Sequence, residues 1–392
     1  MIRPQNITLY GAVTKPPRGA TEFNTKQIIR QRIERLLFRA HALSCIDHRN
    51  YVTAGTYNLG DHAIAVAVQQ QIKKLLSNIP IESINWNAIE KASPQAPLIV
   101  AGSGYFFIES SKSPARRLQH DAQYIRQKNM ACAYYGVGVN HVGEDARLAL
   151  DDIPAEAQGI LAESLAVAST ISVRDAKSKE ILQPLTTAPI AVTGDPALFI
   201  QPDQVFSRDH SDAAKPLTIG INIPFHGPAA STRASQDLRA YIDFFKSLQA
   251  STGCLFIQTI HFHSEIILGR ILQDHGVRLT PVIGGVQTLL NAYQQMDFHI
   301  GGMLHSCILA ASTGTPCIGL AYDIKHQGFF DLLGQPDLCI PAQPFDPDRL
   351  SVACQRLMGQ LTTTREQINA RRGALEIQSR HFLDHTLQTL LG

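Results

Sequence analysis

Short apolar runs recur along the chain, and between them apolar residues return every three or four positions. That alternation of strand-like and helix-like patterning predicts parallel α/β construction. YVTAG (51–55) reads as a first strand. NLGDHAIAVAVQQQIKKLL reads as the helix after it, with Ile64, Ala67, Val68, Ile72 and Leu75 on its buried side. PLIVAGSGYFF, ACAYYGVGV, TISVRD and PIAVTGDPAL predict further strands, with helices over ARRLQHDAQYIRQKN, QGILAESLAVAS and AKSKEIL between them. From Phe199 to Pro216 the apolar periodicity is lost, and QPDQVFSRDHSDAAKP carries two prolines, which marks a linker. A second series follows, with strands over LTIGINIPF, CLFIQTIHF, VRLTPV, DFHIGG, PCIGLAY and LCIPA and helices between them. The tail is helical. Thr363 and Glu366 are spaced as a capping box, and Ile368, Leu375 and Phe382 recur every seven residues.

The expected architecture is two Rossmann-like, doubly wound domains facing across a cleft. An N-terminal extension would cover 1–50, the first domain 51–200, the linker 201–216 and the second domain 217–345. Helices over 346–392 would cross back. A chain of 392 residues is long enough for two cores. Hydrophobic content of 44% and charged content of 17% suit a globular protein with buried sheets. A net charge of +2 gives no bulk attraction for nucleic acid. The seven cysteines are scattered and form no CxxC pair, which points to buried, reduced thiols rather than disulfides or a zinc site.

The opening MIRPQNITLYGAV lacks the apolar core of a secretory signal, so a cytoplasmic location is expected. Between Asn24 and Leu43, Ile29, Ile33, Leu36, Ala40 and Leu43 form a helical stripe, with Arg30, Arg32, Arg35 and Arg39 mostly off it. Such a basic amphipathic helix packs on a core with its arginines in water. Its alternative use is a peripheral contact with the inner membrane face.

Ligands of doubly wound folds sit at the carboxyl ends of the strands, so the residues after each strand carry the candidate chemistry. Asn58 and Asp61 follow the first strand, where Asp61 could also cap the next helix. AGSG (101–104) is a small-residue loop that lets backbone approach a ligand, but it is not a dinucleotide fingerprint. Arg174 ends a buried strand and suits a carboxylate or phosphate, unless it pairs with Asp175 or Asp195. Asp195 in TGDP is either a cleft residue or a plain turn signal. His305 follows the Gly301–Gly302 pair at a helix start, where the helix dipole favours an anion and an imidazole can donate a proton or hold phosphate. Gly302 and Ser306 would complete that cradle. Lys325 is expected to end the next strand and face the same pocket. His261 and His263 share one strand face but lack a third metal ligand, so they read as a polar lip of the cleft.

NLGD, SVRDAKSKEIL, TGDPAL and GGMLHSCILAASTGTPCIGLAYDIK occur in this order and spacing, and the chain resembles the polysaccharide pyruvyl transferase family over roughly residues 51–335. The resemblance implies a glycosyltransferase-B-like pair of domains, with the acceptor on the N-terminal side and the donor on the C-terminal side. It implies transfer of the pyruvyl group of phosphoenolpyruvate to a sugar as a ketal, with no cofactor and no metal. The partners would be phosphoenolpyruvate and a saccharide precursor, lipid-linked or nucleotide-linked. In that reading His305 is the acid and Asp61 orients or deprotonates an acceptor hydroxyl. Asn58 and Asp195 contact the acceptor. Arg174, Lys325, Ser306 and Gly302 hold the donor.

One position departs from the pattern. The family carries Arg-Leu-His where this chain has Met303-Leu304-His305, and methionine cannot supply the arginine's charge. A family member with an altered donor, a glycosyltransferase-like enzyme using a nucleotide sugar, and a binding protein with the cleft alone are therefore the competing expectations.

Overall fold

A computed structural model describes residues 6–11, 59–109, 111–141, 148–206, 215–224, 237–261 and 265–392. The N-terminal half contains β1 (Ile7–Tyr10), α1 (Leu59–Leu75), β2 (Ile81–Ile84), β3 (Leu98–Ala101), β4 (Phe106–Ile108) and α2 (Arg116–Gln127). It continues with β5 (Cys132–Val137), β6 (Val139–His141), α3 (Ala155–Leu165), β7 (Thr170–Val173), α4 (Ala176–Leu182) and β8 (Ile190–Val192). Six of these strands form a parallel sheet in the order β2-β1-β3-β5-β7-β8, and β4 and β6 pair separately. The central strands LIVA and CAYYGV are buried at every residue, as strands covered on both faces must be.

The C-terminal half contains β9 (Thr218–Asn222), α5 (Leu238–Thr252), β10 (Leu255–Thr259), α6 (Ile266–Asp274), β11 (Leu279–Val282) and α7 (Val286–Tyr293). β12 (Phe298–Gly301), α8 (Leu304–Ser312), β13 (Cys317–Ala321), α9 (Ile324–Leu332) and β14 (Cys339–Pro341) complete its sheet, in the order β11-β10-β9-β12-β13-β14. All pairings are parallel, and the strand order reverses between β9 and β12. The first sheet reverses between β1 and β3. These two reversals open the crevices in which such folds bind ligands.

The helices α10 (Pro347–Met358) and α11 (Leu361–Leu391) end the chain. α11 spans both halves. Arg371 Nε donates to the Leu332 carbonyl at 2.8 Å, whereas Ser379 meets the Tyr135 hydroxyl at 2.6 Å and Thr386 meets Thr170 at 3.0 Å. A 3-10 turn at Pro196–Phe199 packs between α1 and α8, so one apolar cluster runs from Ile64 and Phe199 to Leu304 and Ile308. The six described cysteines, Cys132, Cys254, Cys307, Cys317, Cys339 and Cys354, are buried free thiols. Among the described residues no helix is long and apolar enough to cross a membrane.

Three expectations change. Ile7–Tyr10, within the expected N-terminal extension, is an interior strand of the first sheet and pairs with both β2 and β3. Its apolar run is too short to stand out by periodicity. Thr363 and Glu366 lie inside α11 rather than at its start, and Gln360 occupies the N-cap position without a side-chain cap. Lys325 lies not on a strand but in the first turn of α9, because Asp323 caps that helix by accepting from the Lys325 amide at 3.2 Å. The expected first strand at 51–55 and the basic stripe at 24–43 fall outside the described residues.

Candidate active site

His305 sits in the first turn of α8, beyond the carboxyl end of β12, with Met303 as the N-cap residue. Its ring crosses to the N-terminal half. Nε2 faces Asp195 Oδ2 at 3.7 Å, and neither atom has a hydrogen-bond partner although both are buried. The other Asp195 oxygen accepts from the Ala197 amide at 3.0 Å and so caps the Pro196–Phe199 turn. Asp195 thus caps the turn through one oxygen and faces His305 through the other. The packing of Leu198 and Phe199 between α1 and α8 sets the Asp195–His305 separation.

Gly60, in the first turn of α1, lies flat against the His305 ring, and a Cβ there would overlap its Nδ1, Cγ and Cβ. Those atoms lie at the ring's root, so the overlap is relieved only if the whole His305 side chain shifts. Gly60→Ala is expected to push His305 off Asp195, lowering turnover by about 10²-fold and stability by about 1–3 kcal/mol. Steady-state kinetics beside a thermal melt checks both effects. Unchanged turnover would mean that the ring's placement is immaterial.

Asp61 is a residue of the α1 first turn, so it does not cap the helix from outside. Its Oδ1 accepts from the Ser103 hydroxyl at 3.1 Å. Burial raises its pKa, and Asp195 raises it further, while His305, Ser103 and Lys325 pull it down. Asp61, Asp195, His305 and Lys325 thus share one electrostatic environment between the two halves. Asn58 lies outside the described residues.

Lys325 Nζ pairs with Asp323 Oδ2 at 3.3 Å and lies 5.2 Å from the Tyr322 ring. Burial pulls its pKa down, but Asp323 and Tyr322 outweigh this and the net direction is up, so the ammonium stays charged. Arg174 adds to the same positive region, since its charge acts against that of Lys325. Its guanidinium is only 4% exposed and largely occupied. Nε pairs with Asp175 at 3.1 Å, and Nη2 donates to the Val139 carbonyl at 3.0 Å and to Asn140 Oδ1 at 2.6 Å. The internal pair with Asp175 is therefore realised.

Two members of the expected anion cradle have their polar groups engaged within their own half. The Ser306 hydroxyl is fully buried, donates to the Met303 carbonyl at 2.7 Å and meets His299 Nε2 at 3.0 Å, so it closes the core of its own half. The Gly302 amide is spent on the Asn222 carbonyl at 2.6 Å, and a Cβ at Gly302 would press on Pro224. The glycine pair allows close packing at the end of β12, and Gly302 also lines a small cavity with Ile223, Pro224 and Tyr322. His261 is no lip of the cleft either: it is buried, with Nε2 on the Tyr293 hydroxyl at 2.9 Å. His263 lies outside the described residues.

Ser103, Asn140 and Asp323 touch the candidate residues and were not singled out from the sequence. Asp323 has a local signal, an aspartate just before a helical run. Ser103 lies in the AGSG loop, which the sequence marks for its backbone and not for this side chain, and Asn140 has no signal, because the residue it meets is distant in the chain.

Two parallel doubly wound halves, joined by a returning C-terminal helix and holding polar side chains between them, define a glycosyltransferase-B-like architecture. Among solved structures the chain is similar to a Listeria monocytogenes protein assigned as a UDP-N-acetylglucosamine 2-epimerase. That match has a TM-score of 0.50 and 10% identity, and covers 94% of this chain and 90% of the other. It is also similar to UDP-GlcNAc 2-epimerase from Neisseria meningitidis bound to UDP-GlcNAc, with a TM-score of 0.49, 12% identity, and coverage of 82% and 88%. At such identities the likeness concerns the fold alone. No curated protein matches the sequence. The model of the polysaccharide pyruvyl transferase family matches residues 58–324, more than half of the chain, and the protein belongs to that family. It is a transferase.

Proposed function

We propose that the protein moves the pyruvyl group of phosphoenolpyruvate, in the cytoplasm, onto a sugar of a cell-surface or exopolysaccharide precursor as a cyclic ketal. The observation that carries this reading is the convergence of His305 with Asp61, Asp195 and Lys325 between the two halves. The donor is a phosphorylated enol carrying a carboxylate. One acceptor hydroxyl adds across its double bond, the oxygen joining C2 and a proton joining C3. A second hydroxyl then displaces phosphate from C2, giving up its proton and closing the ketal. Net, one phosphoenolpyruvate and one diol become one ketal and one inorganic phosphate. His305 gives the proton to C3, and Asp195 orients the imidazole. Asp61 accepts a proton from an acceptor hydroxyl. Lys325 and Arg174 supply the positive field for the donor's carboxylate and phosphate.

In a thermal-shift series, phosphoenolpyruvate is expected to stabilise the protein, by about 2.7 kcal/mol at a hundredfold excess over its Kd, and UDP is not. Stabilisation by UDP alone would favour the nucleotide-sugar reading. The specific reason to keep that reading is Met303, whose Sδ accepts only a long contact of 3.7 Å from the Tyr322 hydroxyl. Met303→Arg restores a cation at the α8 N-cap position. It is expected to tighten phosphoenolpyruvate by about tenfold or more, the value of one charge-assisted contact. Isothermal titration measures this, and an unchanged Kd would show that the donor does not approach residue 303.

A further inference from the structure

The turn after β3 is built in an uncommon way. Gly102 and Ser103 both have left-handed backbone, with φ of +57° and +61°. The conformation suits glycine, but serine holds it at a cost, and such residues persist where the surroundings over-determine them. Here the Gly102 amide donates to the Tyr135 carbonyl at 2.8 Å, and the Ser103 carbonyl accepts from the Gly138 amide at 2.8 Å. Gly104 lies against the Asn140 side chain, whose Oδ1 holds Arg174. The turn stands at the carboxyl end of β3, beside the strand-order reversal of the first sheet. Its one side-chain product is the Ser103 hydroxyl, donated to Asp61 Oδ1 at 3.1 Å.

We propose that Ser103 is a positioning residue whose hydroxyl, donated to Oδ1, fixes where the Asp61 carboxyl points in the cleft. The groups facing Asp61 are His305 from α8, Lys325 from α9, Asp195 from the loop after β8 and Ser103 from the loop after β3. Burial and Asp195 favour the protonated carboxyl. Of the three that oppose them, Ser103 alone acts through a side-chain hydrogen bond rather than through charge, so it also sets where the oxygen points. What Asp61 does in the reaction rests on the function proposed above; its titration does not.

The test uses two variants of the full-length protein, Ser103→Ala and Ser103→Gly. Both remove the hydroxyl, but only glycine relaxes the left-handed backbone. Asp61 is followed by carbon-13 NMR of labelled aspartate carboxyls, with Asp61→Asn to assign its signal. If the hydroxyl matters, both variants raise the Asp61 titration by about one pH unit, the value of one hydrogen bond to a charged group. The acid limb of phosphate release from phosphoenolpyruvate moves by the same amount. A titration that stays at the wild-type position in both variants, or moves in one only, overturns the proposal. Failure of the wild type to release phosphate from phosphoenolpyruvate removes the proposed function and leaves the titration result standing.

Discussion

His305→Ala is expected to lower phosphate release from phosphoenolpyruvate by about 10²–10⁴-fold, the range of a lost general acid, while the protein stays folded. His305 is 12% exposed, and its Nε2 is buried and aimed at Asp195 Oδ2 across the junction of the two halves. These two facing polar atoms are buried without other partners, so the carboxylate fixes the side of the ring that Nε2 presents. The rest of α8 anchors elsewhere, through Leu304, Cys307, Ile308 and Ala311, so truncating the ring does not unseat the helix. His305→Gln keeps much of the volume and the polarity without an acid of comparable strength, and a loss similar to that of alanine would assign the effect to proton transfer. Turnover within twofold of wild type in both variants would remove His305 from the chemistry. Lys325→Met, by contrast, is expected to act mainly on the KM for phosphoenolpyruvate, because an ammonium 3.3 Å from Asp323 contributes charge rather than a proton.

The second large effect is on stability in acid. His261, His299 and His326 are fully buried in the C-terminal half, and burial lowers each to a pKa of about 3. Their unfolded value is about 6.5. The neutral folded form is therefore fully favoured above about pH 6.5. Below it the unfolded chain binds a proton at each site that the folded chain refuses. Stability then falls by about 1.4 kcal/mol per pH unit per histidine until pH nears 3. Asp61 and Asp121 act the other way. Burial raises both, so the folded state takes their protons first and gains stability as pH falls through their raised values. Three sites against two leave a net loss of at least about 1.4 kcal/mol per pH unit, and about 4 outside the range where those carboxyls titrate. The thermal midpoint is expected to drop steadily from pH 6.5 downward. His299→Gln should flatten that slope by the share of one site. A midpoint independent of pH between 6.5 and 4.5 would show that these histidines do not remain neutral.

How much was legible beforehand differs between fold and site. The strands over LIVA, CAYYGV and CIGLA were readable because strands buried on both faces are continuous apolar runs, and their helices because one face repeats every three or four residues. β1 was not, since four residues carry no period and the pairing that makes them a strand comes from β2 and β3. His305 and Lys325 are readable as candidates because each follows a strand end, and Asp61 because it follows the run YVTAG, which reads as a strand. Lys325 was misplaced onto the strand itself because the Asp323 cap moves the helix start by a few residues.

By itself, then, the sequence determined the succession of strands and helices from Leu98 onward, the polar residues that follow strand ends, and the family to which GGMLHSCILAASTGTPCIGLAYDIK points. These are local properties, set by side-chain periodicity and capping over a few residues. Only the tertiary structure decided which of those residues face one another. Asp195 meets His305 and Ser103 meets Asp61, although each pair is far apart in sequence. Ser306 and the Gly302 amide, close to His305 in the chain, are bonded instead to His299 and to the Asn222 carbonyl. The physical reason is packing. The apolar turn at Pro196–Phe199 wedged between α1 and α8, and the left-handed turn after β3, fix where carboxylates and ring nitrogens end up, and nothing in the neighbouring residues encodes those distances.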